Sequence, residues 1–285
     1  MISESTLVLL SILVVLSLFV MIRMILGRQL PLDSYIYRIW LLLLFIGVAY
    51  FISFSIGIWI LALICFTALR EYFSLIDIRL QDRLGILGGY LSIPFMIYYI
   101  HTGWYNMFII TIPVYSFLAI PLLVTLGGRE TRGTVFSVGS IDLGLFLFVY
   151  CLGHIGYLVR FSLWMAVLLI LCVAVCDVIS FILHHRIHRP VMNLLTRYAL
   201  PLPLTVSISL LLSPWAVLPT THAVMVGLLI PLLVIMGHYT IDYIKADLGV
   251  DEDVLLPGRG QILDNMKSLF YAAPIVFHYY KYFCT

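Results

Sequence analysis

The stretch Phe161–Leu183, FSLWMAVLLILCVAVCDVISFIL, decides the fold. Its single charged side chain, Asp177, stands in an otherwise apolar run. A helix needs about 20 mostly apolar residues to cross a bilayer. The run does not alternate, and it is too long for a barrel strand of about ten residues, so it reads as a helix. Similar runs lie at about 7–26, 39–55, 58–69, 84–100, 104–126, 141–157, 199–217, 222–243 and 268–283. About ten crossings of this length use up most of the 285 residues and leave short loops. The expected fold class is therefore all-α: a polytopic integral membrane protein with about ten transmembrane helices.

Composition supports this reading. The chain is 63% hydrophobic and 11% charged, where soluble domains have roughly 45–50% and about 25%. These values exclude a soluble globular enzyme, a disordered chain and a nucleic-acid-binding domain. The cysteines Cys65, Cys151, Cys172, Cys176 and Cys284 form no C-x-x-C pair and read as small packing residues. The first run is preceded by Glu4 and lacks a basic n-region, so it is expected to be a retained anchor helix.

Crossings of this kind place the loops alternately on two sides. One set covers 27–38, 70–83, 127–140, 184–198 and 244–267. Counting Arg23 with that set, only Arg160 and Lys281 of the 16 Lys and Arg residues fall on the other side. The positive-inside rule makes the basic side cytoplasmic and puts both termini on the opposite side. No internal repeat is visible. Residues 1–126 read as plain apolar helices. Residues 127–285 carry the unusual charges, and the two parts are expected to form one continuous domain.

Ionisable groups inside a membrane segment are costly, and they face a partner or a cavity. For Asp177, pairing with a nearby Arg and ligation of a metal or substrate are both open. Asp142 and His154 sit at opposite ends of one run, where interfacial placement explains them. His238 and Asp242 are four apart, hence on one helix face, and point toward the loop that follows.

That loop, with the helix ends flanking it, holds Asp242, Asp247, Asp251, Glu252, Asp253 and Asp264, out of 14 acidic residues in all. Carboxylates clustered without thiols suit a hard cation such as Mg²⁺. Lys245 and Arg259 are suited to phosphate oxygens. The Pro257-Gly258-Arg259-Gly260 turn lets backbone approach a ligand closely. Carboxylates, Mg²⁺ and phosphate-binding cations together form the parts list of phosphoryl or nucleotidyl transfer. The basic run His184-His185-Arg186-Ile187-His188-Arg189 reads either as a positive-inside anchor or as a surface for a phosphate-bearing lipid or nucleotide.

The run Pro257-Gly258-Arg259-Gly260-Gln261-Ile262-Leu263-Asp264-Asn265-Met266-Lys267-Ser268-Leu269 resembles the signature of the CDP-diacylglycerol synthases, or phosphatidate cytidylyltransferases. That signature reads P-G-H-G-G-x-L-D-R-x-D-S-L. The similarity extends upstream through Lys245, Asp247 and Gly249, and Asp177 matches the aspartate before the family's basic loop. Weaker similarity covers nearly the whole chain, in the manner of a bacterial member. The resemblance implies a dimer in the inner membrane that turns CTP and phosphatidic acid into CDP-diacylglycerol and pyrophosphate with Mg²⁺. It implies metal or catalytic roles for Asp177, Asp247, Asp251 and Asp264. It implies phosphate binding by Lys245, Gly258, Arg259, Gly260, Arg186 and Arg189. The motifs also depart from the family: Lys-Arg reads Lys245-Ala246, and the second carboxylate of D-R-x-D reads Lys267. The family's S-P-x-K-T motif has no counterpart around 193–201. The alternative implied is a member without turnover that binds phospholipid or regulates a partner.

Overall fold

Long apolar runs can satisfy their backbone groups in hydrocarbon only by closing their own hydrogen bonds, so the chain coils into helices. The computed structural model describes residues 4–26, 33–127, 131–184, 190–249 and 261–284. Every regular element among them is helical. In order these are α1 (Glu4–Leu26), α2 (Asp33–Phe51), α3 (Phe54–Leu75), α4 (Arg83–Thr102), α5 (Tyr105–Ile110) and α6 (Phe117–Gly127). Then come α7 (Thr134–Leu145), α8 (Leu152–Phe161), α9 (Leu163–His184), α10 (Pro190–Ala199), α11 (Leu202–Ala216), α12 (Thr220–Asp247) and α13 (Gln261–Phe283). Wide π turns at Thr111–Ser116 and Phe146–Cys151 join α5 to α6 and α7 to α8 into continuous spans.

Eight helical spans among the described residues are long and apolar enough to cross a membrane. They do not include α2, whose apolar part Ile39–Phe51 is shorter, or the more polar α13. With these two, each apolar run read from the sequence has its helix. Side chains such as Leu18, Trp59, Leu63, Leu118, Leu122 and Leu211 point outward and exposed, as a hydrocarbon solvent requires.

All five stretches expected as loops are partly helical, with α2 starting at Asp33 and α7 at Thr134. Positions 190–199 form α10, because Val191, Leu194, Leu195 and Tyr198 recur at helical spacing with Asn193 and Arg197 between them. Helix α3 continues to Leu75, carrying Arg70 and Glu71. The acidic stretch 244–267 is helical at both ends. Lys245 lies in the last turn of α12 and Asp264 in the first turn of α13. Each sits where the helix dipole favours its sign.

Small residues set the helix crossings, as is usual where lipid gives no hydrophobic drive between helices. Thr205 donates to the Gly227 carbonyl at 2.8 Å and Ser209 to the Ala223 carbonyl at 2.6 Å, tying α11 to α12. The closest approach joins α12 to α13. A Cβ on Gly237 would lie 2.2 Å from the Lys267 carbonyl oxygen. At the basic end, Arg79 pairs with Asp82 at 2.8 and 2.9 Å and reaches the Arg132 carbonyl and the Thr134 hydroxyl. This clamp fixes the start of α7, where Gly133 takes a left-handed φ of 82°.

Gly237→Ala is expected to destabilise the protein by about 1–3 kcal/mol, because backbone must move to admit the methyl group. Gly139→Ala, which meets nothing within 4 Å, is expected to leave stability unchanged or raise it by up to about 1 kcal/mol. Thermal unfolding of both variants in detergent checks the contrast.

Candidate functional site

The polar residues of α12 recur on the face turned toward α13. His238, Asp242 and Lys245 are three or four apart, hence on one side of the helix. On α13, Asp264, Lys267 and Ser268 recur in the same way. Because the helices run antiparallel with Gly237 seated against Lys267, the two rows meet as a ladder.

Its outer rung is Lys245 Nζ on Asp264 Oδ2 at 2.5 Å. The middle rung is Lys267 Nζ on Asp242 Oδ1 at 2.7 Å, with Asp264 Oδ1 at 3.3 Å on its other side. The inner rung takes in α9. Ser268 donates its hydroxyl to Asp177 Oδ1, and His238 Nε2 lies 3.0 Å from that oxygen and 2.9 Å from Ser268 Oγ. Since the Ser268 hydrogen is committed to the carboxylate, His238 Nε2 must carry a hydrogen to serve both oxygens. Asp177, His238, Ser268 and Lys245 are all buried. The arrangement contains Ser, His and Asp but not a nucleophilic triad. There the imidazole takes the serine hydrogen and holds the carboxylate with its other nitrogen. Here the serine hydrogen goes to the carboxylate instead.

The structure thus brings Asp177, Lys245 and Asp264 into one ladder, and adds His238, Asp242, Lys267 and Ser268. The partnership of His238 and Ser268 with Asp177 is not in the sequence reading, which turned His238 toward the loop. Two spacings carried a signal for it: His238 four before Asp242, and Ser268 four after Asp264. Asp247 lies apart. It is exposed at the end of α12 and lines a cleft of ≈ 260 Å³ with Tyr72, Ile76, Phe136, Leu143 and Tyr243. Asp251, Gly258, Arg259, Gly260, Arg186 and Arg189 lie outside the described residues.

Mg²⁺ demands near-octahedral oxygen ligands at about 2.0–2.1 Å. The carboxylates of the ladder do not fit that demand. Each Asp264 oxygen faces an ammonium, Asp242 is held by Lys267, and Asp177 accepts from Ser268 and His238. No group of three His, Cys, Asp or Glu among the described residues is placed to hold a metal ion.

Two further ionisable groups lie away from the ladder. Asp142 is buried in α7, and among the described residues neither of its carboxylate oxygens has a partner. His154 is fully buried at the opposite end of the bundle. Its Nδ1 donates to the Tyr150 carbonyl at 2.8 Å, and its Nε2 lies 3.3 Å from the Tyr105 hydroxyl. That hydroxyl also meets His278 Nε2 at 2.6 Å, and Lys281 Nζ stands 3.7 Å over the Tyr105 ring.

His238→Leu is expected to cost about 1–3 kcal/mol, since it removes a donor from a buried carboxylate. Adding Asp177→Leu is expected to return part of that loss, because an apolar pair replaces a buried polar one. A double-mutant cycle on unfolding free energy should give a coupling of about 0.5–3 kcal/mol.

The sequence profile of the cytidylyltransferase family matches residues 33–189 and 191–283. An uncharacterized protein of Escherichia coli K12, YnbB, is 30% identical over 244 residues, covering 78% of this chain and 78% of that one. No solved structure matches the chain. The profile covers nearly every described helix, including those that build the ladder, and the chain belongs to the cytidylyltransferase family.

Proposed function

We propose that the protein joins a cytidine nucleotide to a phosphate-bearing lipid, in the reaction of CTP with phosphatidate to give CDP-diacylglycerol and pyrophosphate. One observation carries the proposal: in a chain of this family, the α12–α13 ladder places two lysines and two carboxylates at the end of the bundle rich in Lys and Arg. In this reading that end faces the cytoplasm of a bacterial inner membrane, and both termini face away. A soluble triphosphate then meets a lipid phosphate at the interface.

A phosphate oxygen of the lipid attacks the α-phosphorus of CTP, and the bond to pyrophosphate breaks. The protein's part is alignment and charge. Lys245 and Lys267 stand where negative oxygens converge, and fixed cations there favour the transition state. Arg259 with Gly258 and Gly260, and Arg186 with Arg189, are the further phosphate-binding groups of this proposal. Asp177 acts inside the bundle, holding α9 to α12 and α13 through His238 and Ser268. The cleft beside Tyr72 and Tyr243 suits the apolar part of a lipid, with Asp247 at its polar side. Mg²⁺ belongs to this reading as the counter-ion of the nucleotide. No carboxylate of the ladder is assigned to it, and Asp247 and Asp251 are the proposed protein ligands. A homodimer is proposed from the resemblance alone.

A second reading is favoured by the same rungs. The described carboxylates of the ladder are already matched by the protein's own donors and cations, which suits a member that binds phospholipid without turnover or regulates a partner.

A single-turnover assay with labelled CTP, phosphatidic acid and Mg²⁺ separates the two. Transfer of label to lipid, falling at least about 100-fold in Asp264→Ala, is the expected result. Absence of transfer in folded protein that still binds phosphatidate vesicles rejects turnover and leaves the binding reading.

A further inference from the structure

Asp242 and Asp264 come from facing helices, and the ammonium of Lys267 stands between them at 2.7 and 3.3 Å. Two carboxylates drawn together at a helix contact repel unless a cation separates them. Lys267 supplies that cation from within the chain, three residues after Asp264. Its position is fixed at both ends. Its own carbonyl is seated on Gly237, and its side chain is only 11% exposed. Lys245 covers the other oxygen of Asp264, so the charges of Lys245, Asp264, Lys267 and Asp242 alternate and balance. An ammonium is a compact single charge that cannot leave the site. A divalent ion in the same place would face Lys267 and Lys245 at close range.

We propose that Lys267 is the built-in cation of this site, filling the place between Asp242 and Asp264 that a divalent ion would otherwise take. The wild-type ladder therefore takes no divalent ion, and its charge balance is independent of metal supply. The proposal concerns the site of the proposed reaction. Its test needs no turnover, so a failed cytidylyl-transfer assay and a failed test here remain distinguishable.

The full chain in zwitterionic nanodiscs is titrated with Mn²⁺ alone, and free ion is counted by its paramagnetic resonance. Wild type and Asp242→Asn are expected to bind the same number of ions. Lys267→Met is expected to gain one saturable ion, with an affinity on the order of 10⁻⁴ M, the weak end for oxygen-ligand sites. Lys267→Met combined with Asp242→Asn is expected to lose it again. Lys267→Gln, which keeps a donor for the carboxylates, replaces the Met variant if that one does not fold. An ion bound by wild type and lost in Asp242→Asn overturns the proposal. So does a folded Lys267→Met or Lys267→Gln variant that gains none.

Discussion

The contact of α12 with α13 is the constraint on which the rest of the site depends. It begins with a missing side chain: Gly237 lets the Lys267 carbonyl come closer than any Cβ would allow. Once the backbones are that close, every polar residue on the facing rows must find its partner across the gap. The sequence meets the demand with alternating signs, so that Lys245, Asp264, Lys267 and Asp242 neutralise one another. In a medium of low dielectric such an arrangement is cohesive, and a lone charge in it would be costly.

The ladder links three levels of the molecule. Its inner rung reaches α9 through Asp177, so the most apolar span is held by a carboxylate instead of by shape alone. Its outer rungs lie in the end turns of α12 and α13, beside the cleft lined by Tyr72, Tyr243 and Asp247. Under the proposed function, a ligand phosphate there would meet cations already oriented by carboxylates, which would reduce the reorganisation that a charged substrate requires.

The architecture was legible in the sequence because hydrocarbon demands long apolar runs, and these are unambiguous over 161–183 or 222–243. The ends of the runs were less legible. Helices α3, α12 and α13 continue into charged sequence, where dipole-matched residues such as Lys245 and Asp264 extend them past the apolar limit. Within the site, Asp177 stood out as a charge in an apolar run. Its partners did not, because His238 and Ser268 lie 61 and 91 residues away in sequence. The packing of α9 against α12 and α13, with the Gly237 crossing between those two, brings them together, and a single glycine among 19 gives no signal of that in advance. Asp247 shows the converse. It shares the acidic stretch with Asp242 and Asp264, yet its turn of the helix faces a different neighbour.

The π turn at Phe146–Cys151 has a consequence for how one span serves two partners. Before it, Gly144 lies beneath the Tyr72 ring of α3; in and beyond it, Phe148 meets Phe270 and His154 meets His278, both on α13. A π turn accommodates extra backbone within one coil, which rotates everything downstream relative to an unbroken α-helix. Phe148, within the coil, meets both Phe270 of α13 and, at 5.4 Å, Tyr72 of α3, so the turn is the point at which the span passes from one neighbour to the other.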